Sequence, residues 1–276
     1  WSEVEWEVVA ITTAGDRDRR SPLEQLGGEG VFVKELESAL LDGRIDMAVH
    51  SLKDMPTTLP DGLRIAAVPV RDDPREAVIS RYASLDELPG GATVGTSSVR
   101  RRAQLLALRA DLRVVQYRGN LDTRIRKVSS GEGPDAAVVA YAGLVRLGRE
   151  GDAAWVFDDR EFLPAAAQGA IAVEIRASDA DVAKLVGAID DGIARREVVV
   201  EREVLRHLGA GCRLPVGVRC LCADGRLSVL AAVFEPSGRD RIVVGIEGFS
   251  GTAEKLGETA ARRLIEQGAL ELMRKG

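Results

Sequence analysis

Cysteine, histidine and aromatic residues are scarce in this 276-residue sequence, and long apolar runs are missing. The three cysteines, Cys212, Cys220 and Cys222, are too few for a disulfide framework, and free thiols fit a reducing cytosol. The two histidines, His50 and His207, lie far apart, and no residue spacing is typical of a structural metal site. No apolar run reaches the roughly 18 residues that a membrane-spanning helix needs. We therefore expect a cytoplasmic protein with no metal site and no membrane contact.

The charge balance is also informative. The formal net charge is −5, which argues against a general nucleic-acid binder because such proteins are usually basic. Only six of the 38 cationic residues are lysine, and the others are arginine. A bias in codon usage explains such an excess without any function. Only the placement of the arginines can therefore support a functional interpretation.

Short apolar runs alternate with amphipathic helical patterns over the first two thirds of the chain, which indicates an α/β architecture. Breaks near 71–74 and 163–169 predict two crossovers between domains, and the apolar run at 170–175 is predicted to return to the first sheet. The predicted strands are 6–12, 45–49, 63–70, 93–94, 113–117, 136–140 and 170–175, and the predicted helices are 32–41, 98–108, 122–129, 181–189, 196–208 and 252–273.

Beyond residue 212 the pattern changes to three alternating runs around tight turns, 216–221, 227–234 and 241–248. This pattern predicts a three-stranded antiparallel meander, covered by the last helix. We therefore predict a discontinuous α/β domain 1 over 1–70 and 168–190, an α/β domain 2 over 71–167, and a small α+β domain 3 over 191–276.

The segment from His50 to Pro56 follows the C-terminal end of a predicted strand. In open α/β sheets this edge is where ligands bind. Asp54 is therefore a candidate functional carboxylate, and Lys53 beside it would favour its ionised form. The alternative is a solvated Lys53–Asp54 pair in a surface loop.

A second candidate site lies where a predicted strand ends in Gly95 and the next helix begins. Hydroxyl side chains and then arginines occupy this junction, namely Thr96, Ser97, Ser98, Arg100 and Arg101. A helix N-terminus already carries partial positive charge, so arginines in its first turn are unfavourable unless an anion compensates them. The alternative is an ordinary N-cap followed by solvated arginines.

Further arginines follow the ends of successive strands. Arg118 and Gly119 end one strand, Arg124 lies a helical turn later, and Arg146 follows the next strand. Each arginine alone is most simply a surface residue, but their recurrence at one sheet edge predicts a ligand with several carboxylates, because guanidinium groups bind carboxylates bidentately. Cys212 lies in a loop of small residues, where an inert thiol is the simpler interpretation.

These motifs together resemble hydroxymethylbilane synthase, the porphobilinogen deaminase family, in their order and spacing. The similar segments are 32–37, 50–54, 73–75, 95–101, 118–124, 142–148, 163–164, 168–170 and 211–212. The resemblance implies two domains with the bilobal periplasmic-binding-protein fold and a small third domain. It also implies a dipyrromethane cofactor joined through a thioether to Cys212, and a catalytic role for Asp54. The family's N-terminal strand and loop, which contributes an arginine and a serine, is not among these residues, and we expect the natural N-terminus to lie upstream of Trp1.

The implied reaction is the head-to-tail condensation of porphobilinogen, with release of ammonia, to hydroxymethylbilane. Loss of ammonia leaves an electron-poor pyrrole that a carboxylate can stabilise. The resemblance implies that the cofactor is held by Lys53, Asp54, Thr96, Ser97, Ser98, Arg100, Arg101, Arg118 and Gly119, and that the substrate contacts Arg118, Arg124, Arg146 and Gln168. We expect a monomer. The competing hypothesis is a non-catalytic bilobal anion-binding module.

Overall fold

The computed structural model describes residues 3–12, 33–209 and 214–274. These residues fall into two compact units. The first contains the chain up to residue 71 together with 170–195, and the second contains 72–169 together with the chain from 196 onward. None of the helices in the described ranges combines the length and apolar character needed to cross a bilayer.

The first unit is built on a three-stranded sheet whose central strand comes from late in the chain. Its elements are α1 (Lys34–Leu41), β1 (Met47–Ser51), a 3-10 turn (Leu52–Asp54), β2 (Leu63–Ala67), β8 (Ile171–Arg176), α5 (Ala180–Val186) and a 3-10 turn (Gly187–Ile189). Both β1 and β2 pair with β8 in antiparallel fashion. The prediction that the run near 170–175 returns to the first sheet is confirmed.

The second unit contains a five-stranded sheet. Its elements are β3 (Glu76–Ser80), β4 (Thr93–Gly95), α2 (Val99–Leu108), β5 (Arg113–Val115), α3 (Leu121–Ser129), β6 (Ala136–Ala140), α4 (Tyr141–Arg146), a 3-10 turn (Glu150–Asp152) and β7 (Trp155–Val156). The strand order is β5-β4-β6-β3-β7. β4 is parallel to β5 and β6, whereas β3 is antiparallel to β6 and β7.

The second unit also contains a separate three-stranded antiparallel sheet. Its elements are β9 (Val216–Ala223), β10 (Arg226–Phe234), β11 (Arg241–Phe249), a 3-10 turn (Ser250–Thr252), α7 (Ala253–Glu266) and α8 (Ala269–Met273). The helix α6 (Gly192–His207) leads into this sheet from the first unit. An apolar core of residues from α6, the three strands and α7 fills the space beneath the sheet. Alternating inward and outward residues explain this one-sided burial.

The mixed α/β fold with a separate antiparallel sheet agrees with the predicted fold class. Three element predictions need correction. Residues 4–12 contain no strand, since they gain no ladder partner and their large side chains, such as Trp6 and Val8, are exposed. β3 and β7 were not predicted, and the single predicted last helix is two helices, α7 and α8. The division of the second unit into domains 2 and 3 stays a prediction.

Candidate functional site

Asp54 lies in the first unit, at the end of the 3-10 turn that follows β1 directly. The turn is held by its backbone, because the amide of Leu52 donates to the carbonyl of Ala170 over 3.0 Å and the amide of Met55 donates to the carbonyl of Leu52 over 3.2 Å. Leu52 and Met55 are buried on either side of it. Asp54 itself is exposed, and Lys53 is half-buried. The turn therefore presents a carboxylate from a well-anchored backbone.

The junction between β4 and α2 uses its hydroxyl groups for local structure. The Oγ of Ser98 accepts from the amide of Arg101 and caps the helix. The Oγ of Ser97 donates to the carbonyl of Tyr117 over 3.2 Å and accepts from the amide of Tyr117 over 3.3 Å. The buried Thr96 accepts from the amide of Ser98 through its Oγ1. The Ser97 hydroxyl thus holds the end of β4 against the segment that follows β5, and the other two stabilise the junction itself.

Arg100 and Arg101 are buried and share one carboxylate. The Nη2 of Arg100 donates to Glu76 Oε1 over 2.6 Å, and the Nη2 of Arg101 donates to Glu76 Oε2 over 2.7 Å. Their Nη1 atoms donate to the carbonyls of Leu163 and Val138. Glu76 is completely buried. Burial lowers the pKa of Arg100, and the nearby Arg101 charge adds to this effect while Glu76 opposes it.

This arrangement sets one carboxylate against two guanidinium groups and leaves a buried nitrogen of Arg101 unsatisfied. The buried Nε of Arg101 has no hydrogen-bond partner. A buried donor without an acceptor is unfavourable, and an anionic acceptor that reached this nitrogen would remove the penalty. Sequence reasoning predicted that an anion compensates these arginines but missed Glu76. The signal was weak, because Glu76 is 24 residues away from Arg100 in sequence.

Arg118 and Arg124 extend the positive charge from Arg101. Burial lowers the pKa of Arg124, and the charges of Arg101 and Arg118 contribute to the same shift. The Nε of Arg124 donates to the carbonyl of Gly119 over 2.9 Å, and the hydroxyl of Tyr117 donates to the carbonyl of Arg124. Three predicted anion-binding arginines are thus close enough for mutual repulsion. An anion that binds among them would relieve it.

Arg146 makes its hydrogen bonds to a different part of the second unit. Its Nε donates to Asp72 Oδ2 over 2.8 Å, and its Nη2 donates to the carbonyl of Gly169 over 2.8 Å. The amide of Asp72 also donates to the carbonyl of Gly169. Arg146 therefore ties together the two crossover segments, in addition to any contact with substrate.

Gln168 is fully buried, and its Nε2 donates to the carbonyl of Pro74 over 2.7 Å. Its side chain stabilises the crossover segment. A contact between Gln168 and substrate stays a prediction, as do the other predicted ligand contacts.

Cys212 lies outside the described residues. Cys220 is completely buried within β9 and packs in the apolar core, whereas Cys222 is half-buried at the end of the same strand. Within the described ranges, no group of histidine, cysteine, aspartate and glutamate side chains is arranged to hold a metal ion.

Comparisons with known proteins agree with this geometry. Residues 2–184 match the family described as "Porphobilinogen deaminase, dipyromethane cofactor binding domain", and residues 195–266 match "Porphobilinogen deaminase, C-terminal domain". The chain is 47% identical to the porphobilinogen deaminase of Pelotomaculum thermopropionicum, over 97% of this chain and 86% of that protein. It is 45% identical to the porphobilinogen deaminase of Chromobacterium violaceum, over 97% of this chain and 86% of that protein.

Among solved structures, the periplasmic VFT2 domain of Bordetella pertussis BvgS is 20% identical, with a TM-score of 0.35, over 56% of this chain and 65% of that domain. The two family matches and the two curated relatives are much stronger, and they cover nearly the whole chain. The chain belongs to the porphobilinogen deaminase family.

Proposed function

We propose that this protein condenses porphobilinogen head to tail, with release of ammonia, to the linear tetrapyrrole hydroxymethylbilane in porphyrin and heme biosynthesis. The observation that carries the proposal is the cluster of Arg101, Arg118 and Arg124. Each pyrrole brings an acetate and a propionate, so the growing chain becomes more anionic with every unit. A cluster of guanidinium groups that repel one another suits such a ligand.

Asp54 is the proposed catalytic residue. Its carboxylate is exposed at the end of the anchored turn, where it can accept hydrogen bonds from a pyrrole N–H. A carboxylate in this position stabilises the cation left when ammonia departs from porphobilinogen, and it can help to move the proton released on condensation. Lys53 beside it is proposed to contact a carboxylate of the bound chain.

The residues present fit a dipyrromethane cofactor, because the buried Nε of Arg101 has no hydrogen-bond partner and the positive charges of Arg101 and Arg118 both act on Arg124. We propose that the cofactor is attached through Cys212 and contacts Lys53, Asp54, Thr96, Ser97, Ser98, Arg100, Arg101, Arg118 and Gly119. When bound, it supplies the nucleophilic pyrrole carbon to which the first substrate unit is added. Arg118, Arg124, Arg146 and Gln168 are proposed to contact the incoming substrate. The enzyme is proposed to act as a cytoplasmic monomer.

Intact-protein mass spectrometry tests this proposal. We expect an adduct of two pyrrole units on the wild-type protein and none on Cys212→Ser, while Cys222→Ser keeps the adduct. Incubation with porphobilinogen should then add further pyrrole units to the wild type and to Cys222→Ser, but not to Cys212→Ser. A protein that binds polycarboxylates but carries no adduct and adds no pyrrole would instead be a non-catalytic anion-binding module, which the family membership does not favour.

A further inference from the structure

One face of the first-unit sheet carries buried ionisable groups in an otherwise apolar layer. Leu40, Ala48 and Leu63 form the core between α1 and this sheet. In the same unit, His50 on β1 and Glu37 on α1 are each 7% exposed, and Glu174 on β8 is fully buried. Buried ionisable side chains are uncommon unless they are paired, so their presence needs an explanation.

His50 and Glu174 form a cross-strand pair. The Nε2 of His50 lies 2.9 Å from Glu174 Oε2. In the ladder, His50 is opposite Ala172 and Glu174 is opposite Ala48, so the pair is diagonal and the small alanines leave room for it. The Oε1 atoms of Glu174 and Glu37 are both buried without a hydrogen-bond partner. The contact with His50 is thus a hydrogen bond to a carboxylate that burial has removed from water.

The cluster contains two carboxyl groups, those of Glu37 and Glu174, and one imidazole, that of His50. Burial raises the pKa of Glu37, and the charge of Glu174 adds to the shift, while His50 and Lys34 oppose it. Among the other charged groups on the packed elements, Arg176 on β8 donates to the carbonyls of Leu40 and Ile45, and Arg64 on β2 is exposed. His50 is therefore the base that lies in contact with Glu174.

The pair is directly connected to the Asp54 turn through the β1–β8 ladder. After His50 opposite Ala172, Ser51 lies opposite Ile171, and the amide of Leu52 donates to the carbonyl of Ala170. Asp54 ends the turn that starts at Leu52. A slip of one residue in the pairing of β1 with β8 would turn every side chain of β1 to the other face of the sheet. It would also move the turn that follows β1, and with it the Asp54 carboxylate.

We propose that His50 is a positioning residue for Asp54, which holds β1 in register on β8 through its contact with the buried Glu174. This inference rests on the proposed role of Asp54 in pyrrole condensation. His50 does not touch substrate in this proposal. Its effect on the reaction passes through the backbone of residues 51–55.

Two substitutions at position 50 that differ by one methylene group distinguish the effect of side-chain length from the effect of side-chain polarity. In His50→Gln the amide can extend to the position of the imidazole Nε2, whereas in His50→Asn it is too short to reach Glu174. Asp61→Asn, at an exposed site in the same unit, is the matched control. Hydrogen exchange of the Leu52 and Met55 amides is measured first, since it does not depend on activity.

We expect these two amides to exchange at least about tenfold faster in His50→Asn than in the wild type, and within about threefold of it in His50→Gln and Asp61→Asn. Equal exchange in the Asn and Gln variants would contradict the proposal, because the reach of the side chain would then be irrelevant. The exchange result decides the role of His50 even if the wild type adds no pyrrole, an outcome that would overturn the proposed function alone.

Pyrrole addition per cofactor-loaded enzyme is measured second. We expect His50→Asn to lower kcat by at least about tenfold with cofactor content and KM unchanged. His50→Gln should keep a near-normal kcat, because its amide still reaches Glu174. A loss of thermal stability in His50→Asn with an unchanged kcat would show a purely structural role and would refute the proposal.

Discussion

At the scale of single residues, the side chain of Asp54 is exposed and the backbone around it is anchored. We therefore expect that the carboxylate can be removed without disturbing the fold. Asp54→Ala should slow pyrrole addition by at least about 100-fold, which is typical of a lost acid–base or electrostatic group. The cofactor adduct and the unfolding temperature should stay near those of the wild type, because the proposed stabilisation acts on a cation that exists only during reaction.

Counting the pyrroles attached to the enzyme over time by mass spectrometry checks this expectation. Asp54→Glu keeps the charge but moves it by one methylene group, so it should retain part of the rate and accumulate partly extended chains. Near-normal elongation by Asp54→Ala would remove this carboxylate from the mechanism.

The sequence predicted a local group of arginines better than it predicted the partners of those arginines, and the binding of an anion by them stays a prediction. The positions of Arg118 and Arg124 after a strand end were sufficient to expect a positive cluster, and the repulsion felt by Arg124 agrees with it. Neither the burial of Arg100 and Arg101 nor their shared Glu76 could be predicted. That contact depends on the antiparallel placement of β3 beside β6, which the local pattern does not encode.

Glu76 should therefore matter for stability. Glu76→Gln removes the charge that two buried guanidinium groups share, and breaking a buried ion pair typically costs about 3–5 kcal/mol. We expect a loss of this size in the free energy of unfolding, measured by urea titration. Glu132→Gln is the control, because its contact with Arg126 is exposed and 3.7 Å long, and it should change stability by no more than about 0.5 kcal/mol. Similar small effects of both variants would show that Glu76 is not a structural ion-pair partner.

At the scale of elements, the sequence predicted those with a clear period and an obvious boundary. The strand at 136–140 was recovered because it is a continuous apolar run, and the meander of β9 to β11 because alternation and the Asp-Gly and Pro-Ser-Gly turns mark it. β3 and β7 were missed since they follow charged or irregular segments and pair antiparallel within an otherwise parallel pattern, and β7 has only two residues. The strand expected at 6–12 was wrong because an apolar alternation forms a strand only where a partner is present.

The crossover next to β8 depends on backbone geometry that can be tested with two glycines. Gly169 and Gly43 both have positive φ, +83° and +70°, so alanine is strained at either position. At Gly169 a Cβ atom would also lie 2.4 Å from the carbonyl oxygen of Asp72, whereas at Gly43 nothing lies within 4 Å. The difference between the two variants therefore isolates the steric overlap.

Gly43→Ala should lose about 1 kcal/mol of unfolding free energy, as expected for backbone strain alone. Gly169→Ala should lose at least about 2 kcal/mol more, because backbone atoms have to move. Urea denaturation of the two variants provides the comparison. Equal losses would mean that the crossover relaxes freely around residue 169.

At the scale of the whole molecule, the net charge and the local charge act in opposite directions. The formal charge of −5 disfavours an anionic ligand at long range, yet charges separated by more than about 10 Å are largely screened at 0.1 M salt. The guanidinium groups of Arg101, Arg118 and Arg124 are close enough to influence one another directly. We therefore expect the local positive charge, rather than the net charge, to decide whether a polycarboxylate is bound.

The same cluster should make stability depend on the cofactor. A bound polyanion reduces the repulsion among these arginines, so the cofactor-free protein should unfold at a lower temperature than the loaded protein, by at least about 3 °C at low salt. Added salt screens the repulsion, so it should raise the unfolding temperature of the cofactor-free protein and narrow the difference. Cys212→Ser provides a cofactor-free protein, and Arg118→Ala in that background should weaken the salt effect because it removes one of the repelling charges. Thermal unfolding of these proteins between about 0.02 and 0.3 M salt gives the measurement. If the loaded and cofactor-free proteins unfolded at the same temperature with the same salt dependence, the arginine cluster would not be the place where the polyanionic chain is bound.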